Sequence, residues 1–161
     1  IVAVLHDAGY AVGAVEVPDA GEVAGVNDRI QLARVEAELR RRINREWMAR
    51  GVTMVDPDHT YVDTTVDLAP DVSLYPGTVL QGTTRVGPGA EIGPNTHLAD
   101  CAVGARAVVT ATVGRAAEVG ADAQVGPWAY LPPGFRVPPG RATGPGFAGS
   151  VEEDEPGPEE R

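Results

Sequence analysis

In the stretch VGPGAEIGPNTHLADCAVG (residues 86–104) an aliphatic residue stands at every sixth position: Val86, Ile92 and Leu98. A helix repeats every 3.6 residues and a strand every two, so neither accounts for a period of six. Stepping backward by six gives Leu80, Leu74, Leu68 and Val62. Forward from Leu98 the step shortens to five, through Val103, Val108 and Val113, and returns to six at Val119, Val125, Leu131 and Val137. Four residues after most of these aliphatics comes a second small or β-branched residue, among them Val72, Thr78, Thr84, Ala90, Thr96, Ala102 and Ala107. Glycine often follows the aliphatic directly, as at Gly87, Gly93, Gly104, Gly114 and Gly120.

This pattern predicts a parallel β-helix of triangular section, in which each hexad supplies one short strand and one turn. Three hexads close a coil of about 18 residues. The aliphatic points inward and stacks on its equivalents, and about 0.8 kcal/mol per buried CH₂ keeps the position Leu, Ile or Val. Glycine and proline serve the corners, where φ is positive or fixed. A β-sandwich with Gly- and Pro-rich turns is the alternative, but nothing in it would hold a period of six. The expected solenoid covers residues 62–142, in four to five coils.

The first sixty residues have a different pattern. Residues 1–9 carry apolar Val2, Leu5 and Ala8 and stop at Gly9, as a helix does. YAVGAVEVP is expected to run as a strand to Pro18. Asn27 or Asp28 can cap the next helix, with Asp28 and Gln31 at capping-box spacing. On that helix Leu32, Val35, Leu39, Ile43 and Trp47 share one face. Glu36–Arg40, Glu38–Arg42 and Glu46–Arg50 are favourable i,i+4 pairs, so Arg40, Arg41 and Arg42 read as a solvated face rather than a phosphate site.

Composition narrows the function. The net charge of −10 argues against a nucleic-acid partner. No apolar run approaches the roughly 20 residues of a membrane helix, and no secretory signal opens the chain. A single cysteine forms no internal disulfide, which fits a cytoplasmic location. Every one of the 13 basic residues is arginine. His97 has no companion at zinc-ligand spacing. Cys101 reads as a small buried apolar residue. Asp56, Asp58 and Asp63 read as turn formers, and EEDEPGPEE as a solvated run.

GVNDRIQLARVEAELRRRINREWMARGVTMVDPDHTYVD, followed by LYPGTVLQGTTRVGPGAEIGPNTHLADCAVG, resembles the GlmU family. Its members are bifunctional N-acetylglucosamine-1-phosphate uridyltransferases and glucosamine-1-phosphate acetyltransferases. The resemblance extends over residues 1 to about 138. It implies a mainly β fold: a left-handed parallel β-helix, preceded by an arm helix and the α/β C-terminal remnant of a Rossmann-like nucleotidyltransferase domain. Residues 1–27 would be that remnant, 28–61 the arm helix and linker, 62–142 the β-helix and 143–161 a disordered acidic tail. The chain would be an internal fragment of an enzyme making UDP-N-acetylglucosamine for cell-wall precursors.

By the same resemblance the complete enzyme takes UTP, acetyl-CoA and a sugar phosphate, requires Mg²⁺ and assembles as a homotrimer. Asn27 in GVN corresponds to a ligand of Mg²⁺ and of UDP-N-acetylglucosamine, a role compatible with capping a helix. No catalytic residue of the acetyltransferase is expected here. The family's Leu-Arg-Pro-Gly turn reads Leu131-Pro132-Pro133-Gly134, its lysine and histidine segments do not follow, and the chain contains no lysine. The isolated residues are therefore expected to be inactive. A non-catalytic trimerising module, or another sugar-1-phosphate nucleotidyltransferase with hexad repeats, are the alternative readings.

Overall fold

A computed structural model describes residues 1–18 and 25–150. The chain divides into two compact units, residues 1–38 and residues 39 onward. The first holds α1 (Val2–Asp7) and the start of α2 (Arg29–Ala49). Asp28 caps α2, its Oδ1 accepting the Gln31 N–H at 2.7 Å. Gln31 Oε1 in turn accepts the Asn27 N–H at 2.7 Å, a capping box displaced by one residue. The strand expected over YAVGAVEVP is not formed: residues 10–17 make no ladder among the described residues. A strand's N–H and C=O groups need a neighbouring strand, and the described residues of this unit provide none.

The second unit is a left-handed parallel β-helix. Its first coil carries β1 (Thr53–Met54), β2 (Tyr61–Val62) and β3 (Asp67–Leu68). The second carries β4 (Ser73–Leu74), β5 (Val79–Gln81) and β6 (Arg85–Val86). The third carries β7 (Glu91–Ile92), β8 (His97–Ala99) and β9 (Ala102–Val103). β10 (Val108–Val109), β11 (Val113–Arg115) and β12 (Glu118–Val119) make the fourth. β13 (Gln124–Val125), β14 (Tyr130–Leu131) and β15 (Arg136–Val137) make the fifth. Every third strand stacks, giving three five-stranded sheets, one per side of the triangle. The expected span of 62–142 is widened at both ends. β1 begins the solenoid, and parallel bridges pair Gln124 with Ala142 and Tyr130 with Ala148. Residues 143–150 are therefore attached to the solenoid rather than a tail, and Phe147 stacks on Phe135 at 5.6 Å. The acidic run from residue 151 lies outside the described residues.

The aliphatic column is continuous, with one break in its chemistry. Leu74, Leu80, Ile92, Leu98 and Leu131 are fully buried. At the five-residue steps the register corrects the sequence reading. Val109, not Val108, pairs with Ile92, and Gly114, not Val113, lies between Leu98 and Leu131. Gly114 is buried, and a Cβ there would lie 2.9 Å from Leu98 Cδ2. The two leucines close over a position with no side chain. Likewise Cys101, 2% exposed, takes the inward corner assigned to Ala102.

Polar atoms stitch the corners. Thr60, Thr78, Thr96 and Thr112 form a buried column. The Thr78 hydroxyl donates within reach of Tyr75 O (2.7 Å) and Ile92 O (3.1 Å), tying its own coil to the next. Asp100 Oδ1 accepts from the Thr83 N–H and hydroxyl, which hold its carboxyl below the usual range. At another corner Arg106 forks onto Asp122 with two 2.7 Å bonds, lowering the pKa of the Asp122 carboxyl.

A depressed folded pKa contributes stability above the ordinary carboxylate pKa, and the contribution disappears as pH falls through the folded value. Arg106→Gln is therefore expected to lower the melting temperature at neutral pH by a few degrees. Its deficit against wild type should shrink below about pH 4. A deficit independent of pH would show that the pair contributes packing, not charge.

Residues 39–49 of α2 belong to the second unit. Ile43 and Trp47 pack on the core, whereas Leu32 and Leu39, on the same predicted face, are exposed. The side chain buried most completely on the helix is Asn44, at 1% exposure. Its amide donates to Pro57 O at 2.8 Å and to Thr60 O at 2.9 Å. Both carbonyls lie in the 3₁₀ turn (Pro57–His59) and the residue after it, just ahead of β2. Arg50 pairs with Glu46 and lies over the Trp47 ring at 5.1 Å.

Candidate functional site

Each sheet of the solenoid presents one outward residue per coil just ahead of the inward one, and these three columns differ in chemistry. The face built from β3, β6, β9, β12 and β15 shows Asp67, Arg85, Ala102, Glu118 and Arg136, with Arg136 paired to Glu118 at 3.2 Å. The face of β1, β4, β7, β10 and β13 shows Thr53, Ser73, Glu91, Val108 and Gln124. The third face, from β2, β5, β8, β11 and β14, shows Tyr61, Val79, His97, Val113 and Tyr130. Tyr61, Val113 and Tyr130 are each 44–45% exposed, and Trp128, at 74%, stands at the corner beside Tyr130.

Four of the five residues in this column are apolar or aromatic, and beside them the same face carries Gln81, Ala99 and Arg115. Single exposed apolar residues are ordinary, but a contiguous patch with aromatic side chains marks an interaction surface. Its polar members are tied down. His97 Nε2 lies 2.7 Å from Gln81 Oε1, and the Arg40 guanidinium lies over the Tyr61 ring at 4.7 Å. That stacking also revises the expectation that Arg40 simply faces solvent.

The residues singled out for chemistry are not brought together. Asn27 is exposed just before α2. Its side chain supplies one neutral oxygen, whereas Mg²⁺ needs near-octahedral oxygen ligation with carboxylates or substrate phosphates. Among the described residues no group of three His, Cys, Asp or Glu side chains is placed to hold a metal ion. The described side chains do not by themselves fit a magnesium site.

Asp56, Asp58 and Asp63 serve local structure. Asp56 caps the 3₁₀ turn and bonds His59 Nδ1 at 2.7 Å, which lowers its pKa, and Asp63 Oδ2 accepts the Gly82 N–H at 3.1 Å. Burial pushes the Cys101 thiol up, and its Sγ–H points to Ala99 O at 3.3 Å. Native Cys101 is expected to react with Ellman's reagent on the order of a hundredfold more slowly than in denaturant. Equal rates would show that this corner opens freely.

The sequence comparison points to GlmU proteins. The chain is 50% identical over 107 residues to the bifunctional protein GlmU of Rhodococcus jostii, and equally to that of Kineococcus radiotolerans. It is 45% identical over 103 residues to the GlmU protein of Caldanaerobacter subterraneus. Over these residues the chain is similar to GlmU proteins. The match takes in about two thirds of the chain (66% for the first relative) but spans only 21–22% of the length of these GlmU proteins.

No family model matches the chain. Among solved structures, a histidine-to-alanine variant of GDP-perosamine N-acetyl transferase from Caulobacter crescentus, in complex with CoA and GDP-perosamine, is 18% identical. It covers 68% of this chain and 62% of its own, with a TM-score of 0.44. Within the GlmU-like residues, the exposed column on the third face was not anticipated from the sequence. Its signal is the residue before each inward aliphatic (Tyr61, Val79, His97, Tyr130), a position that on the other faces is mostly polar or charged.

Proposed function

We propose that these residues are the arm helix and assembly scaffold of a GlmU-type enzyme that makes UDP-N-acetylglucosamine. The complete enzyme would transfer acetyl from acetyl-CoA to glucosamine-1-phosphate, then uridyl from UTP in the presence of Mg²⁺. The segment's own part is to hold copies side by side as a homotrimer. The column Tyr61, Val79, His97, Val113 and Tyr130 carries this reading, because it is the face of the solenoid with least to lose by leaving water. The kinship to GlmU proteins supports the pathway.

Neither transfer is proposed for residues 1–161 alone. The 161 residues include no lysine to hold a sugar phosphate. His97 is bonded to Gln81, and among the described residues Asn27 has no carboxylate cluster with which to hold Mg²⁺. The test combines mass and turnover. Sedimentation equilibrium of the purified chain is expected to give three times 16.7 kDa, and Val113→Glu with Tyr130→Glu should return the mass to that of one chain. Assays with UTP plus N-acetylglucosamine-1-phosphate, and with acetyl-CoA plus glucosamine-1-phosphate, should match the no-protein blank. A monomeric wild type would sink the scaffold reading, and turnover above the blank would sink the claim of inactivity.

A further inference from the structure

The C-terminal end of the solenoid differs chemically from the coils before it. In earlier coils the residue after the inward aliphatic donates its N–H to the next coil. On the charged face Ala69 donates to Val86 O, Gly87 to Val103 O, Gly104 to Val119 O and Gly120 to Val137 O. The equivalent residue of the fifth coil is Pro138, which has no N–H. On the apolar face Asp63 donates to Leu80 O, and the fifth-coil equivalent is Pro132. Proline removes one donor at each of these two positions. Beyond the fifth coil the described residues pair with the solenoid only through the single bridges at Gln124 and Tyr130.

This end offers a cavity of about 310 Å³, at the lower end of the roughly 300–1,000 Å³ of small-molecule sites. Phe135, Val137, Pro138, Ala142 and Phe147 wall it with carbon, and Phe135 and Phe147 pack on the core behind it. Two polar groups also line it. The exposed Arg141 guanidinium has no ion-pair or hydrogen-bond partner among the described residues, unlike Arg106 and Arg136. The Thr143 hydroxyl accepts the Gly126 N–H at 3.1 Å, and its proton has no acceptor among the described residues. An apolar wall with one cation and one hydroxyl donor at its lip matches an apolar body that ends in an anion.

We propose that this cavity is a binding site for a small amphipathic carboxylate, an aryl- or short alkyl-carboxylic acid. Its hydrocarbon lies against the Phe135–Phe147 pair, and its carboxylate is taken by Arg141 with help from the Thr143 hydroxyl. The site stands apart from the apolar face and does not depend on the scaffold reading.

Amide-detected NMR of the full chain, titrated with 3-phenylpropionate and with its neutral amide, tests the proposal. Saturable shifts are expected at residues 135–147, with the amide about tenfold weaker than the acid. Arg141→Gln should weaken the acid by about the same factor and leave the amide unchanged. Arg136→Gln, which removes a paired arginine nearby, should leave both affinities intact and so controls for a general loss of charge. Absence of saturation in the millimolar range, or equal binding of acid and amide, overturns the proposal. Shifts at these residues that depend on protein concentration alone also overturn it, because the occupant would then be a second copy.

Discussion

Ile92→Asp is expected to leave no folded solenoid at 25 °C. Ile92 is fully buried, and its strand lies in the third of five coils, paired with β4 below and β10 above. Truncating such a residue to alanine costs about 2–5 kcal/mol. A carboxyl group in its place adds several kcal/mol for desolvation with no partner in reach. The total approaches the roughly 5–15 kcal/mol that holds a domain together. Far-ultraviolet circular dichroism and thermal melting read the outcome directly. Ile92→Val, which removes one methylene, should cost only about 0.5–1.5 kcal/mol and keep the melt cooperative. An aspartate variant with native dichroism and melting temperature would be incompatible with an inward Ile92 and with the whole register.

Asn44→Leu should cost about 2–4 kcal/mol, although leucine is the better helix former and the more apolar residue. Pro57 O and Thr60 O would both lose their donor, and the bond to Thr60 O is buried. The loss is partly offset, because Asn44 Oδ1 is itself buried without a partner and disappears with the substitution. In a domain of this size the melting temperature should fall by roughly 5–15 °C. Urea denaturation with an unchanged slope would place the effect in the folded state. If Asn44→Leu were neutral or stabilising, the helix would be held by Ile43 and Trp47 alone, and the amide would be incidental.

Asn44 also shows where sequence reading stops. The stripe Leu32, Val35, Leu39, Ile43, Trp47 is legible from spacing, but only its C-terminal end meets the core. Periodicity reports a face, not what covers it. The available signal was an asparagine next to that stripe, since asparagine competes with the helix backbone and is seldom placed mid-helix without a task. The solenoid itself was legible because its period is dictated by closure of a three-sided coil. Where the step shortens, two adjacent residues compete for the inward place; the local pattern gives no preference at Val108-Val109 and favours the outward residue at Val113-Gly114. The choice is made by the coils on either side, which present Ile92 and Val125 to one position and Leu98 and Leu131 to the other.

The candidate site was less legible still. Asn27, assigned by resemblance, has no metal-holding group of His, Cys, Asp or Glu beside it among the described residues. The apolar column emerges only once the strands are stacked, because its successive members are 16 to 18 residues apart in sequence and adjacent in space.

The three five-residue turns, Leu98 to Val103, Val109 to Gly114 and Gly114 to Val119, carry a consequence for how such a chain can evolve. In a coiled coil, deleting one residue rotates everything beyond it out of register. Here each shortened corner is absorbed before the next strand, and from Val119 onward Val125, Leu131 and Val137 again point inward. Each coil resets its frame against the coil beneath it. A lineage built on this plan can lose or gain single residues at its corners, and so reshape its outer surface, while its interior passes from one variant to the next unchanged.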